Sequence, residues 1–312
     1  MDRSQPVVIP AILGPTAVGK TELAIHVAVQ CNMEIVSCDS RQVYRFMDIG
    51  TAKPTYRQRQ LVRHWMLDVI DPSRPFSAHD YALRSRAVIR ARLRAGRRVI
   101  VCGGTGLYYK SLSEGLGVAV AANPSFRQYC EAEAAAKGPE SLYQKLTRVD
   151  PLSARRLHPN DLQRVIRALQ VYHDTGIPMS KHVRKGHPPS GMTFAPVILM
   201  LPREQLYDRI NRRVHRMVAD GLWEEFLSLR AAGFGREHPA MTCVGYAELF
   251  DVEEGRITMA EAVEKIQLHT RHFAKRQITW FVHQCCRALF VDMSLPGAVD
   301  RIHSHIASLC GR

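Results

Sequence analysis

Acidic side chains are in short supply in this chain: 29 Asp and Glu stand against 43 Lys and Arg, a net charge of +14 over 312 residues. The excess is carried chiefly by arginine, whose fork pairs with phosphate through two bonds at once, so a polyanionic partner, nucleic acid above all, is expected. A merely basic soluble protein would show the same balance. No run of about eighteen apolar residues occurs, and no cleavable apolar segment opens the sequence. Membrane spanning and export are therefore not expected, and a cytoplasmic location is. The eight cysteines form no Cys-x-x-Cys pair and read as reduced thiols rather than a disulfide framework. Cys285-Cys286 with His303, His305 and Cys310 fits no zinc-finger spacing. There is also no Ser-His-Asp elbow, no metal-ligating His cluster and no second strand ending in an Asp-Glu pair. These gaps exclude triad hydrolysis, a protein-caged metal centre and an ATPase that activates water. With 46% apolar and 23% charged residues, a globular protein of one large or two modest domains remains.

What the chain does have begins at Gly14-Pro15-Thr16-Ala17-Val18-Gly19-Lys20-Thr21. An apolar run, Val7 to Leu13, precedes it as a buried strand, and Thr21-Glu22-Leu23-Ala24 opens a helical pattern. Strand, Gly-x-x-x-x-Gly-Lys-Thr and helix together make a phosphate-binding loop. Its glycines let successive N–H groups converge on an anion, the helix N-terminus adds partial positive charge, and Lys20 adds a full one. Thr21 is placed to ligate Mg²⁺ bridging two phosphates. The loop specifies a di- or triphosphate group without specifying what that group is attached to.

Five apolar runs read as strands: Val7–Leu13, Glu34–Cys38, Arg98–Cys102, Pro196–Leu201 and Arg287–Val291. The first three alternate with helical stretches at Thr21–Gln30 and Asp80–Ala95, which predicts a parallel sheet covered by helices on both faces. The fold class expected is thus α/β, a P-loop NTPase-like parallel sheet flanked by helices, with a helical insertion domain. Residues 1–115 and 192–312 form the catalytic core in this reading, and 116–191 the insertion, with hinge points near Leu116 and Pro189. The insertion has helical patterns at Asn123–Lys137, Pro139–Leu146 and Asp161–Asp174, then a turn at Gly186-His187-Pro188-Pro189-Ser190-Gly191. It is basic, through Arg155, Arg156, Arg164, Arg167, Lys181, Arg184 and Lys185, which suits an RNA surface or a solvated helical face equally. In the last third, single helices are expected over Gln205–Leu229, with an arginine stripe at Arg209, Arg213 and Arg216, and over Met259–Trp280.

Ligands of such sheets sit at the carboxyl ends of the strands. Three loops then converge: Thr16 and Lys20, next Asp39-Ser40, and last Gly103-Gly104-Thr105-Gly106. Asp39 can ligate Mg²⁺ or accept a proton from an attacking nucleophile, and it can equally form the turn after its strand. Thr105 offers a hydroxyl to a phosphate oxygen, on a glycine cluster that would also suit a tight strand-to-helix turn.

These motifs resemble the tRNA dimethylallyltransferase family. The phosphate loop, Asp39-Ser40-Arg41-Gln42-Val43-Tyr44, Asp48-Ile49-Gly50-Thr51-Ala52-Lys53-Pro54 and Gly103-Gly104-Thr105-Gly106-Leu107-Tyr108 carry the likeness. It continues through Arg164-Val165-Ile166-Arg167-Ala168-Leu169, Val244-Gly245-Tyr246 and the run from Thr270 to Phe281, in order and across nearly the whole chain. The resemblance implies transfer of a dimethylallyl group from dimethylallyl diphosphate to N6 of the adenosine 3′ of the anticodon, with Mg²⁺ as cofactor. The phosphate loop, Gly14 to Thr21, would hold the diphosphate, with Lys20, Mg²⁺ on Thr21 and Arg213 neutralising its charge. Asp39 would be the general base and Thr105 would touch the bridging oxygen. The tRNA anticodon stem-loop, with its adenine flipped out, would meet Asp39, Ser40, Arg41, Gln42 and Thr105. Arg127 and the segment Gln163, Arg164, Val165, Ile166 and Arg167 would grip it further, as would Thr242, Cys243, Val244, Gly245, Tyr246 and Ala247. A monomer is expected. Val18 stands where the family commonly has serine, Thr242 and Ala247 where basic residues are frequent, and Val282-His283 where arginine often follows. The zinc finger of some eukaryotic members has no counterpart.

Overall fold

In the computed structural model, residues 6–115, 120–182 and 189–310 are described. Six strands run in chain order: β1 (Val7–Leu13), β2 (Met33–Cys38), β3 (His64–Trp65), β4 (Arg98–Gly103), β5 (Met192–Met200) and β6 (Leu289–Asp292). Every pairing is parallel, in the order β3-β2-β4-β1-β5-β6. Five of these strands lie on the apolar runs of the sequence. The sixth, β3, has only two residues and a histidine in it, too short to leave a periodic signal.

The strands alternate their burial between two cores, as period-two side chains on a doubly covered sheet must. Ile9, Ala11 and Leu13 of β1 enter one core and Ile12 the other. The helix Lys20–Gln30 follows β1, Ala78–Arg94 precedes β4 and Gly106–Ser113 follows it. After β5 the structure departs from the single helix expected over Gln205–Leu229. Arg203–Ala219 ends and Leu222–Ala231 begins anew, because Gly221 adopts a left-handed φ of 99° at the break. Met259–Gln284 is continuous, started by a capping box between Thr258 and Glu261.

The chain forms two compact units, one of residues 1–113 and 189–312 and one of residues 114–188. The smaller unit has its own core, Cys130, Leu142, Leu146, Val165, Ala168 and Leu169 among it, between the helices Pro124–Lys137, Pro139–Val149 and Leu162–Thr175. Leu116 and residues 183–188, which include Arg184, Lys185 and part of the expected turn, lie outside the described residues.

Candidate active site

Register brings the three loops together. Leu13 and Cys38 both pair with Gly103, so β1, β2 and β4 end in one row and release their loops side by side. Gly103 has to be glycine: a Cβ there would lie 2.0 Å from the Cys38 carbonyl oxygen. On β1 the chain leaves through Gly14, where a Cβ would lie 2.7 Å from Leu199 O.

The phosphate loop wraps from Gly14 to Thr21, with Gly19 in a left-handed conformation as the helix N-cap and no side chain capping the helix. No cap side chain therefore takes the N–H groups of its first turn. Lys20 Nζ donates to Pro15 O at 2.6 Å, folding the ammonium back over the loop. Loss of water around it lowers its pKa to about 8. From the helix Arg203–Ala219, Arg213 donates to Thr16 Oγ1 at 3.4 Å, and Arg209 to Val18 O at 3.5 Å. Burial lowers the Arg213 pKa as well, with Asp39 opposing. Two guanidinium groups one helical turn apart therefore meet the same loop.

A second turn, across from the loop, is built on Asp39. Its Oδ1 takes the backbone N–H of Arg41 at 2.8 Å and of Gln42 at 3.3 Å, making the turn after β2. The turn's hydrogen bonds leave Oδ2 out. Ser40 N–H donates to Thr105 Oγ1 at 2.9 Å, and that hydroxyl donates to Ser40 Oγ at 3.3 Å. The Gln42 side chain is tied to the protein: Nε2 donates to the carbonyls of Thr51 and Ala52, and Ser37 Oγ donates to Oε1. Arg41 donates to Pro239 O.

A cavity of about 390 Å³ opens onto this arrangement. Thr16, Lys20, Thr21 and Arg213 line one part of it; Asp39, Ser40, Arg41 and Gln42 line another. Thr242, Cys243, Val244 and Gly245 join them, with apolar wall from Ile210, Val214, Met217, Ile266 and Phe273. A second, more open cavity shares Lys20, Thr21 and Arg213 with the first and adds Ala17, Gly19, Arg209, Arg212 and Arg216.

The remaining expected positions differ in what their side chains can reach. Tyr246 is fully buried and donates its hydroxyl to Glu225; Cys243 is buried, Thr242 is exposed and Ala247 is half-buried. Within the smaller unit, Gln163 and Arg164 are exposed, whereas Val165 and Ile166 pack into that unit's core. Arg127 is exposed and paired with Glu131 at 2.7 Å. Arg167 spends its donors on Val120 O, Ala121 O and Gln170.

Sequence reasoning gave no role to Gln277, Glu225 or Lys53, each of which ties loops of the site together. Gln277 alone had a visible signal, a polar residue on the stripe Ala274, Gln277, Phe281 that faces the core of its helix. Glu225 acts on residues far away in sequence, Lys53 on the nearby Tyr44, Asp48 and Asp68, and neither has a periodic signature.

Known proteins align with the chain over most of its length. The sequence pattern of the family described as IPP transferase matches residues 42–284. The tRNA dimethylallyltransferase 1 of Pelobacter propionicus is 44% identical over 271 residues, 86% of this chain and 88% of that relative. The tRNA dimethylallyltransferase of a Thermoanaerobacter species is 40% identical over 289 residues, 91% of this chain and 92% of the relative. Among solved structures, the full-length tRNA isopentenylpyrophosphate transferase of Bacillus halodurans superposes with a TM-score of 0.72 at 35% identity, covering 98% of this chain and 97% of that one. A eukaryotic dimethylallyltransferase solved acting on tRNA gives 0.77 at 25% identity, over 92% and 74%. The phosphate loop, the row of three strand ends and this breadth of likeness agree: the chain belongs to the IPP transferase family.

Proposed function

We propose that the protein transfers the dimethylallyl group of dimethylallyl diphosphate to N6 of the adenosine 3′ of the anticodon in tRNA, giving N6-dimethylallyladenosine and diphosphate. The observation that carries this reading is one cavity lined by both a phosphate loop and Asp39, in a member of this family. The N6 lone pair attacks C1 of the dimethylallyl group as the C1–O bond breaks, and the bonding electrons leave with the diphosphate. Lys20, Arg213 and the N–H groups at the start of the helix Lys20–Gln30 meet that growing charge. The N6 proton passes to Asp39, whose Oδ1 is fixed by two backbone N–H groups while Oδ2 remains for the amine. The Thr105 hydroxyl turns from its long bond to Ser40 Oγ toward the bridging oxygen, since hydroxyl protons rotate to suit their partners.

Among the described residues no group of three or more His, Cys, Asp or Glu could hold a metal ion. Thr21 lines the cavity beside Lys20, a donor that suits Mg²⁺, which takes few protein ligands and completes its shell with water and substrate phosphates. Thr21 would hold it, and the ion would add charge stabilisation on the diphosphate. The apolar wall of Ile210, Val214, Met217 and Ile266 suits a branched five-carbon chain. The protein acts as a monomer in the cytoplasm on this reading. No helix among the described residues is long and apolar enough to cross a membrane.

The test is transfer of labelled dimethylallyl from its diphosphate, with Mg²⁺, to an anticodon stem-loop or to free AMP. Label in the stem-loop supports the reading. Label in AMP alone, or ATP hydrolysis with no transfer, overturns it. Asp39→Ala is expected to abolish transfer, by about 100-fold or more, with stem-loop affinity nearly unchanged. A parallel loss of RNA affinity or of folding would remove Asp39 as the base.

A further inference from the structure

We infer that Gln277 is a positioning residue, one amide that sets the separation between the phosphate loop and the Thr105 loop and so aligns donor with acceptor. The inference rests on the transfer reaction proposed above. Gln277 is 8% exposed and lies far in sequence from both loops, on the helix Met259–Gln284. Its Oε1 accepts the Thr16 N–H at 2.8 Å and its Nε2 donates to Gly104 O at 2.8 Å. One partner is a donor and the other an acceptor, so the amide has a single workable orientation: a flip would set N–H against N–H and oxygen against oxygen.

Both partners continue into the reaction site. Thr16 Oγ1 accepts from Arg213, and Gly104 precedes Thr105, whose hydroxyl takes the Ser40 N–H next to Asp39. Arg213, Thr16, Gln277, the Gly104-Thr105 peptide and Ser40 thus form one continuous chain of contacts, from the side that neutralises the diphosphate to the side that takes the proton. Gln277 is the link that bonds both of these loops while belonging to neither. The sequence makes room for it: a Cβ on Gly104 would lie 2.5 Å from Gln277 Nε2. Displacement at carbon requires the reacting atoms to be held about 3–3.5 Å apart and in line. A change in the gap between these two loops alters that geometry while each loop keeps its own ligand contacts.

The experiment is steady-state transfer to the stem-loop by the full-length protein carrying Gln277→Met or Gln277→Glu, beside wild type, with a thermal melt of each. Methionine keeps the length of the side chain and removes both bonds. We expect kcat to fall about 100-fold, with KM for dimethylallyl diphosphate within about threefold of wild type. Glutamate keeps the acceptor and donates to Gly104 O only when protonated, so Q277E should be as impaired as Q277M at about pH 8 and recover relative to wild type toward about pH 6. Q277M within about twofold of wild type, a loss confined to KM, or a Q277E profile parallel to wild type overturns the inference. If Q277M proves unfolded, the Q277E pH profile decides alone. Wild type without transfer overturns the proposed reaction itself, an outcome distinct from active wild type with unaffected variants.

Discussion

Lys20 sits where burial and ligand binding pull in opposite directions. Loss of water lowers its pKa to about 8, with the charge of Arg213 acting in the same direction and that of Asp39 opposing. The unfolded chain keeps this proton to higher pH than the native protein does. By linkage, the native state gains stability as pH rises from about 8 toward the ordinary lysine value. For ligand binding the sign reverses. A diphosphate favours the charged amine, so binding above about pH 8 draws in a proton, and affinity falls as pH rises. Calorimetry of Mg²⁺-diphosphate binding at about pH 8.5, in buffers of differing ionisation enthalpy, should show proton uptake that Lys20→Arg lacks. A shared pH profile for wild type and K20R would sink the idea. The neighbouring thiols take no part in this range. Burial raises the Cys38 pKa far above neutrality and pushes Cys102 up to about 12, so neither offers a thiolate.

Among the elements, the segment from Asp48 to Pro54 is the one most dependent on distant help. Glu225, on the helix Leu222–Ala231, accepts the backbone N–H groups of Asp48, Ile49 and Gly50 at 2.7, 2.8 and 3.0 Å. It also accepts the hydroxyl of the buried Tyr246, whose ring lies so close to Gly50 that a Cβ there would be 2.5 Å away. Lys53 is buried and donates to Tyr44 O, Asp48 and Asp68. The segment also presents the carbonyls of Thr51 and Ala52 to Gln42, next to Asp39. Glu225→Ala leaves three N–H groups and a phenol without their acceptor, at a cost of about 1–3 kcal/mol given partial solvent access. Urea unfolding measures it, with Glu225→Gln expected between the alanine variant and wild type. A change below about 0.5 kcal/mol would show that water replaces the carboxylate fully. None of this was legible in the chain. Glu225 has no periodic or motif context, whereas the phosphate loop announced itself because all its parts are contiguous. The break at Gly221 was missed for a related reason: apolar spacing on either side of a single glycine reads as one helix unless the left-handed turn is suspected.

For the molecule as a whole, the middle of the sheet was legible because β1, β2 and β4 are largely buried on both faces and read as unbroken apolar runs, each ending in a polar loop. Parallel pairing puts these strand ends at one edge of the sheet, and the register then sets Leu13, Cys38 and Gly103 in a row. Charge was legible as a sum but not by position. The sequence gives Arg164 and Arg167 equal standing, yet the smaller unit uses them differently. Arg164 is exposed and only loosely paired with Asp161 at 3.3 Å, so its guanidinium remains available to a phosphate. Arg167 donates to the carbonyls of Val120 and Ala121 and to Gln170, which makes it part of that unit's framework. If the unit grips the RNA backbone, as the family resemblance implies, these two residues fail in different ways. Arg164→Ala should weaken stem-loop binding about equally for every loop sequence and reduce the slope of log affinity against log salt by about 0.7–0.9, the release of one counterion. Arg167→Ala should instead lower the unfolding midpoint of the protein, by about 1–3 kcal/mol for carbonyls left without a donor, and affect binding only as far as folding is lost. Fluorescence titrations from about 50 to 200 mM salt, paired with urea melts, separate the two. An unchanged slope for R164A would remove the smaller unit's Arg164 from the RNA surface and move the use of the +14 charge to the arginines of the larger one.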